Sequence, residues 1–116
     1  PEVVGLDETD TSAVFAALSS ETARSILKEL YDSAGTKSQV ADRVGTSIQN
    51  VTYHIGKLQN AGLVTVVDQW YSEKGKEMDV YAPSNGPLVV VGGDAEQTRT
   101  AIDLLDISAS TSTAGD

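Results

Sequence analysis

The chain has 116 residues, no cysteine and a formal net charge of −9. This length suits one domain, and it is short enough that dimerisation would help to cover apolar surface. The absence of cysteine excludes disulfides, thiolate metal sites and thiol redox sensing. No apolar run approaches about 18 residues and no charged and apolar leader begins the sequence, so we expect a soluble cytoplasmic protein without a membrane span or secretory signal.

The acidic residues are distributed unevenly. Residues 36–81 contain five basic and five acidic side chains, whereas the rest of the chain contains three basic and twelve acidic ones. Acidic surfaces repel duplex DNA, but in molar salt the Debye length is about 3 Å and the repulsion is almost fully screened. The small number of lysines and the large number of Asp and Glu resemble the composition of haloarchaeal proteins, which work in molar salt. An acidic protein can bind DNA in that setting. The alternative is a mesophilic acidic protein that binds another protein.

The beginning of the chain predicts an extended arm and then two helices. Residues 1–9 lack periodicity and suit the arm, and Asp10 or Thr11 can cap a first helix that runs to about residue 18. One side of this helix is apolar and contains Val14, Phe15 and Leu18. These side chains pack either within the monomer or against a second copy. Ser20 begins the second helix, and Gly35 ends it.

A short third helix and a tight turn come next. Thr36 or Lys37 opens this helix, and Arg43 near its end can contact phosphate or pair with Asp42. The buried set of the helix is predicted to be Val40, Ala41 and Val44. The connection Gly45-Thr46-Ser47 suits a three-residue turn, so the third helix is joined closely to the one that follows.

Residues 47–61 predict a helix with a defined start and end. Ser47 suits the N-cap because its hydroxyl can accept from a free backbone N–H, and Gly62 can adopt the left-handed conformation that closes a helix. One apolar stripe should face a core, and its members are Ile48, Val51, Ile55 and Leu58. The other face is polar and almost free of carboxylates, and its members are Gln49, Asn50, Tyr53, Gly56, Lys57 and Asn60.

This polar face suits the edges of DNA bases. Gln and Asn can make paired hydrogen bonds to adenine, Lys can contact guanine or phosphate, and Tyr can bond phosphate or touch a thymine methyl. The alternative is an ordinary solvated face. His54 lies beside the apolar stripe, where it is either half-buried and hydrogen-bonded or in contact with DNA. A metal at His54 is not expected because no partner ligands accompany it.

A β-hairpin follows this helix. Residues 63–72 and 78–82 are rich in β-branched and aromatic side chains and predict two strands. Gly75, in the turn between them, permits the positive φ of a tight tip. Trp70 and Tyr81 are predicted to pack across the hairpin rather than to line a ligand site.

The tip of the hairpin has mixed charge. Lys74 and Lys76 can straddle a minor groove or a pair of phosphates. Glu73 and Glu77 flank them, and a basic tip between acids is also typical of a solvated turn. Contact with DNA and simple solvation are therefore both open for this turn.

The end of the chain predicts a last helix and a tail. Residues 83–93 suit a turn, a short apolar strand or extended segment, and another turn. Asp94 caps a helix that runs to about residue 107, and residues 108–116 are small and polar and predict disorder. The helix has an apolar stripe with an alanine at its centre, which suits close packing against its own copy or within the monomer. The members of the stripe are Thr98, Ala101, Ile102 and Leu105.

Two segments resemble the ArsR-type winged helix-turn-helix regulators. Residues 47–58, Ser-Ile-Gln-Asn-Val-Thr-Tyr-His-Ile-Gly-Lys-Leu, followed by Ala-Gly-Leu-Val at residues 61–64, resemble the recognition helix of that family. Residues 20–24, Ser-Glu-Thr-Ala-Arg, followed by Ile26 and Leu27, resemble its second helix. The resemblance covers roughly residues 18–83.

The resemblance implies a fold that is mainly α with a β-hairpin wing, a winged helix-turn-helix that dimerises through its first and C-terminal helices. The expected partners are double-stranded DNA, a second copy of the chain and bound salt ions. Helix 47–61 would enter the major groove, and wing 73–77 would contact the backbone or the minor groove. The expected DNA contacts are Lys37, Ser38, Gln39, Ser47, Gln49, Asn50, Tyr53, His54, Lys57, Lys74 and Lys76. The expected dimer contacts are Val14, Phe15, Leu18, Thr98, Ala101, Ile102 and Leu105.

The resulting domain plan has four parts. We expect an arm at residues 1–9, a DNA-binding domain at 10–93, a dimerisation helix at 94–107 and a disordered tail at 108–116. The chain departs from metal-sensing family members because it lacks cysteine and clustered histidine, so no inducing metal is expected. No catalytic constellation and no cofactor site are found, so an enzyme is not expected. The remaining alternative is a winged-helix module that binds a protein without specific DNA binding.

Overall fold

The computed structural model describes residues 2–6 and 11–114 of the chain. The predicted cap at Asp10, and the part of the arm at residues 1 and 7–9, lie outside the described residues. In chain order the elements are β1 (Glu2–Gly5), α1 (Thr11–Leu18), α2 (Glu21–Asp32), α3 (Lys37–Val44), α4 (Ile48–Asn60), β2 (Val64–Tyr71), β3 (Glu77–Pro83), β4 (Leu88–Val91) and α5 (Ala95–Ala114). None of the described helices has the length and apolar content needed to cross a membrane.

The chain divides into two compact units. One comprises residues 12–84 and contains four helices and the hairpin of β2 and β3, as the sequence predicted. The other comprises residues 1–11 and 85–116 and contains β1, β4 and α5. The predicted boundary after residue 93 differs from this division, since residues 85–93 belong with β1 and α5.

Polar caps fix where the helices of the larger unit begin. The Ser20 hydroxyl accepts a hydrogen bond from the Ala23 backbone N–H at 3.2 Å at the start of α2. Thr36 and Ser47 occupy the same N-cap position for α3 and α4. Each cap provides an acceptor for a backbone N–H that has no partner within the helix. The starts predicted for α3 and α4 are therefore confirmed.

The core of the larger unit lies between α2, α3, α4 and β3. Its fully buried large side chains are Ile26, Leu30, Val40, Val51, Ile55 and Leu58. Three of these form the predicted apolar stripe of α4. Ile48, the fourth predicted member, is 52% exposed, so its assignment to the core is wrong. It is the first residue of α4 and contributes instead to the lining of a surface groove.

Gly35 has a different role from the predicted one. Helix α2 ends at Asp32, and Ser33 is its C-cap in an extended conformation. Gly35 then forms an isolated antiparallel bridge with Tyr81, in which Gly35 N–H donates to Tyr81 O at 3.0 Å and Tyr81 N–H donates to Gly35 O at 2.8 Å. This bridge attaches β3 to the connection between α2 and α3, and so it fixes the wing to the helices.

The wing is the antiparallel pair β2 and β3. Its register runs from Val64 opposite Pro83 to Tyr71 opposite Glu77, with an irregularity between Val66 and Asp68. The turn is closed by a hydrogen bond of 2.8 Å from the Ser72 N–H to Lys76 O, and Gly75 has a φ of 77°. The tight turn predicted at this glycine is confirmed. Across the hairpin, Trp70 lies opposite Met78 and Tyr81 lies opposite Val66.

The smaller unit contains a parallel strand pair that the sequence did not predict. β1 and β4 pair from Glu2 opposite Leu88 to Gly5 opposite Val91. Within this unit, Thr11 donates its hydroxyl to Gly5 O at the end of β1, at 2.7 Å. The predicted arm is therefore partly a strand.

Helix α5 has the predicted start but a different end. The Asp94 carboxylate accepts from the Gln97 backbone N–H at 2.8 Å, and the Asp94 N–H donates to the Gln97 side-chain oxygen at 3.1 Å. The predicted cap is thus confirmed. The helix continues to Ala114, beyond the predicted end at residue 107, so the disorder predicted for residues 108–114 is replaced by helix.

Candidate nucleic-acid interface

The exposed face of α4 is polar and contains no carboxylate. Val51, Ile55 and Leu58 are each 0% exposed and fix the orientation of the helix on the core. The opposite face therefore points to solvent, where Gln49, Asn50, Thr52, Tyr53, Gln59 and Asn60 are exposed. Tyr53 is the most prominent aromatic side chain of this face, at 60% exposure. This arrangement places amide and phenol groups where a groove of DNA can reach them.

Two hydroxyl groups organise the first turn of α4. The Ser47 hydroxyl accepts from the Asn50 backbone N–H at 3.0 Å, and it is therefore engaged as the N-cap. The Asn50 side chain donates from Nδ2 to the Thr46 Oγ1 at 3.0 Å. Thr46 was not among the predicted site residues. Its signal in the sequence is a threonine four residues before an asparagine, which matches the spacing of one helical turn.

Tyr53 lies between two neighbouring side chains. The Lys57 ammonium is 5.5 Å from the centre of the Tyr53 ring, which is within cation–π range. The His54 ring meets Tyr53 edge-on, with centroids 5.0 Å apart. His54 is half-buried, which agrees with one of the two predictions made for it. Its Nδ1 atom is buried and has no hydrogen-bond partner among the described residues, so the expected hydrogen bond is absent at this atom.

The three DNA contacts predicted in the first turn of α3 differ in their exposure and in their partners within the protein. The Gln39 side-chain oxygen accepts from the Thr36 backbone N–H at 3.0 Å, and the Gln39 N–H donates to the Thr36 hydroxyl at 3.2 Å. This capping box occupies the acceptor end of Gln39 within the protein. Ser38 is exposed, and Lys37 is half-buried with its ammonium 5.8 Å from the centre of the Tyr81 ring.

A groove of about 340 Å³ brings the start of α3 and the wing together. Three of the predicted contacts, Lys37, Ser38 and Lys76, are among its lining residues. The other lining residues are Thr36, Ile48, Glu77, Met78, Asp79 and Tyr81. The groove therefore has two ammonium groups and two carboxylates at its walls. Lys74 is exposed on the turn and does not contribute to this lining.

The Tyr81 hydroxyl is affected by this environment. Burial raises the pKa of Tyr81 above its ordinary value, and the nearby Asp79 carboxylate raises it further. Both effects disfavour the phenolate. Tyr81 therefore remains a neutral part of the groove wall at physiological pH.

Arg43 is exposed, and its guanidinium bonds backbone carbonyls of the segment that follows α2. Its Nη1 donates to Ser33 O at 2.9 Å, and its Nη2 donates to Ala34 O at 3.4 Å. These bonds connect the end of α3 to the segment that follows α2. Arg43 is thereby a structural residue of the helix pair.

The predicted dimer contacts differ in how much surface they expose. In α1, Val14 is 5% exposed, Phe15 is 39% exposed and Leu18 is half-buried. In α5, all four predicted contacts are half-buried, namely Thr98, Ala101, Ile102 and Leu105. A shallow groove of about 310 Å³ runs along α5 and includes Thr98 and Ile102 in its lining.

The comparisons with known proteins agree with this geometry. Residues 18–67 match a model of a helix-turn-helix domain. The chain is 31% identical to an ArsR-like transcriptional regulator from Rhodococcus sp. RHA1, with a TM-score of 0.56, over 90% of this chain and 85% of that one. The chain belongs to the ArsR-type winged helix-turn-helix regulators. This is a family of DNA-binding transcription regulators rather than of enzymes.

Two further solved structures share the ArsR-type fold at lower identity. One is the homodimeric winged helix-turn-helix DNA-binding domain of a possible ArsR-family regulator from Mycobacterium bovis, at 16% identity and a TM-score of 0.56, covering 87% of this chain and 79% of that one. The other is reduced HlyU from Vibrio cholerae N16961, at 19% identity and a TM-score of 0.54, covering 83% and 84%. No curated protein matches the chain by sequence.

The described part of this ArsR-type chain offers no metal centre. Among residues 2–6 and 11–114, no three His, Asp or Glu side chains are close enough together to hold a metal ion. The chain also lacks cysteine, which would supply thiolate ligands.

Proposed function

We propose that this ArsR-type regulator is a homodimer that recognises a specific DNA sequence by placing α4 in the major groove. The single observation that supports this proposal is the exposed, amide-lined and carboxylate-free face of α4. Most of the chain is acidic, so a neutral polar face on one helix provides the surface that DNA repels least.

Each polar side chain of α4 has a proposed partner on the duplex. Gln49 and Asn50 lie in the first turn of the helix, and N-terminal residues of a recognition helix contact base edges. Tyr53 lies one turn further on and Lys57 two turns further on, and both contact a phosphate or a base edge. Ser47 retains a hydroxyl proton that can be donated to a phosphate while its oxygen caps the helix. His54 is half-buried and contributes mainly by its contact with Tyr53.

The groove between α3 and the wing is proposed to receive the DNA backbone. Lys37 and Lys76 supply positive charge, and the exposed Ser38 hydroxyl supplies a donor. Glu77 and Asp79 line the same groove and would repel a phosphate, so we propose that salt cations lie between these carboxylates and the DNA. Gln39 makes no proposed contact with DNA and supports this surface only indirectly, because its side chain closes the cap of α3. Lys74 extends the contact from the wing turn.

A two-fold dimer would present two copies of α4 to one face of the duplex. The proposed seam is formed by α1 and α5, where Phe15 is exposed and the stripe of α5 is half-buried. Val14 exposes little surface and supports α1 from within the monomer. The similar Mycobacterium bovis domain is a homodimer. In such an arrangement the two recognition helices would be about 34 Å apart, which is one turn of B-DNA.

The charge distribution further suggests a high-salt setting. Residues 36–81 are neutral overall, and all the net negative charge lies elsewhere in the chain. We propose a halophilic protein in which cations screen the acidic surface during DNA binding. The affinity should then depend only weakly on potassium concentration, or increase with it. A steep and monotonic fall, with the slope of many Lys and Arg contacts, would contradict this part of the proposal.

The test is a selection from random double-stranded DNA at several potassium concentrations, using the full chain. We expect enrichment of a palindromic site whose half-sites are separated by about one helical turn. If no sequence is enriched at any salt concentration and the chain is instead recovered in a stable protein complex, the protein-binding alternative is correct. Analytical ultracentrifugation of the free chain, compared with a Phe15→Asp variant, tests the proposed seam.

A further inference from the structure

Ile48 is a large apolar side chain at the start of α4 that the core does not bury. It is the first residue of the helix and is 52% exposed, whereas Val51 and Ile55 of the same stripe are 0% exposed. Single exposed apolar residues are common on proteins, so this exposure is informative only together with its position. Ile48 directly precedes Gln49 and Asn50, and N-terminal residues of a recognition helix contact base edges.

Ile48 also borders the groove between α3 and the wing. The lining of this groove includes Lys37, Ser38 and Lys76 as well as Ile48. The two lysines and the serine are proposed to contact phosphates, whereas Gln49 is proposed to contact base edges. Ile48 therefore lies at the boundary between the surface proposed for the DNA backbone and the surface proposed for the bases.

The first turn of α4 holds the backbone of Ile48 in place. The Thr52 hydroxyl donates to Ile48 O at 2.8 Å, and the Val51 backbone N–H donates to Ser47 O at 3.1 Å. An isoleucine in a helix has one strongly preferred χ1 rotamer because it is branched at Cβ. Its methyl groups are therefore presented in one direction, and it has less rotamer freedom to lose on binding than a long flexible side chain.

Thymine is the base that offers a methyl group in the major groove. Its C5-methyl distinguishes it from cytosine, adenine and guanine, which lack that group. The methyl lies on the side of the base toward the backbone of its own strand. The Ile48 side chain has no hydrogen-bonding atom, and its position between the backbone groove and the amides of α4 matches the position of this methyl.

We propose that Ile48 is a specificity-determining residue of this regulator, and that it contacts the C5-methyl of a thymine next to the bases read by Gln49 and Asn50. This role rests on the proposed placement of α4 in the major groove. The contact buries apolar surface on both molecules, so its strength depends on area rather than on charge. It should persist in molar potassium, where interactions between exposed charges are screened.

The test removes the methyl group from the DNA and the side chain from the full chain, separately and together. Each thymine in one half-site of the selected duplex is replaced in turn by deoxyuridine, which pairs like thymine but lacks the C5-methyl. Fluorescence anisotropy in high potassium measures the affinity. We expect one of these replacements to weaken wild-type binding by about fourfold, which is the effect of exposing one buried methyl group.

The variant Ile48→Ala should be insensitive to that same replacement and should respond like wild type at the other thymines. Its affinity for the unmodified duplex should be about tenfold lower than that of wild type, because both copies lose the contact. Ile48 is half exposed, so the variant should unfold at nearly the wild-type temperature. Ile48→Val keeps the branched methyl groups and should keep the sensitivity. Val67→Ala, which shortens a similarly exposed side chain away from the wing turn, is the matched control.

The possible failures are distinguishable. If wild type binds the selected duplex but Ile48→Ala responds like wild type to every thymine replacement, the role of Ile48 is overturned and the proposed function stands. The same conclusion follows if the selected half-site contains no thymine, or if Ile48→Ala binds as tightly as wild type. If wild type enriches no DNA at any potassium concentration, both proposals are overturned.

Discussion

Helices α3 and α4 begin with the same cap and then use their third residues differently. In α3 the Thr36 hydroxyl accepts from the Gln39 backbone N–H, and in α4 the Ser47 hydroxyl accepts from the Asn50 backbone N–H. The Gln39 side chain folds back onto the cap backbone and closes a capping box. The Asn50 side chain is one methylene shorter and donates instead to Thr46, outside the helix.

We propose that this difference separates a turn that stabilises its helix from a turn that contacts DNA. A glutamine whose oxygen is bonded to its own cap contributes to helix stability and has less capacity to bind a partner. An asparagine bonded through one N–H keeps its oxygen for another molecule. We therefore propose different roles for two first turns of similar polar composition, on the basis of the hydrogen-bond partners of the two amides.

The largest expected effect concerns the recognition turn. Asn50→Ala combined with Tyr53→Ala should lower the affinity for the selected DNA site by about 100-fold, since one amide contact and one aromatic contact are lost. Both side chains are exposed, so thermal stability should change little. Fluorescence anisotropy in high potassium measures the affinity. Gln59→Ala, an exposed amide at the far end of the same helix, is the control. Unchanged affinity in the double variant would show that α4 does not contact the site.

The second effect concerns the groove beside α3. Replacing Lys37 and Lys76 with Gln should weaken binding by about tenfold, because two phosphate contacts lose their charge. Phosphate contacts do not distinguish bases, so specific and unrelated duplexes should be affected alike. Competition binding with the two duplexes measures this ratio. Lys28→Gln, at an exposed ion pair with Asp32 on α2, is the matched control. A selective loss for the specific duplex would mean that these lysines contact bases.

The third effect should appear in stability rather than in DNA binding. Gln39→Ala removes the side chain that closes the capping box and should lower the free energy of unfolding by about 1 kcal/mol. Gln39→Glu can close the same box and should retain most of the stability. Urea denaturation of both variants measures the difference. If Gln39→Ala were as stable as wild type but bound DNA as poorly as Asn50→Ala, the contrast between the two turns would be lost.

The smallest expected effect concerns Tyr81, the residue of the groove wall that contacts Lys37. Burial and the Asp79 carboxylate raise the pKa of Tyr81 in the folded state above its unfolded value. The neutral phenol is therefore favoured by folding, and this stability is present below about pH 10 and is lost as the pH rises through the folded pKa. As the pH rises above about 10, wild type should lose stability more steeply than Tyr81→Phe does. Equal slopes in urea denaturation would contradict this environment for Tyr81.

Local features of this fold were accessible from the sequence. The caps at Ser20, Ser47 and Asp94 depend on a side chain bonding a backbone group three residues away, so the residue type at one position is enough to predict them. Gly62 and Gly75 have the positive φ values that their turns require. These features involve only neighbours in the chain.

Features that depend on distant partners were not accessible. Periodicity placed Ile48 on the buried stripe, but the first turn of α4 extends beyond the core and exposes it. The pairing of β1 with β4 joins segments more than eighty residues apart, and the bridge between Gly35 and Tyr81 joins a loop to the wing. The Gln39 side chain could bond either DNA or the cap of its own helix, and the residue type alone did not decide between them. In the structure its oxygen accepts from the Thr36 backbone N–H.

The contact of the α4 face with DNA is tested most directly by NMR titration of the nitrogen-15-labelled full chain with its selected duplex. Side-chain amides report their own surroundings, so Gln39 and Gln49 provide an internal comparison within one sample. We predict large shifts for the Gln49 and Asn50 amides on α4 and little change for Gln39 on α3. Shifts confined to other parts of the molecule, with the Gln49 and Asn50 signals unmoved at saturation, would contradict the account.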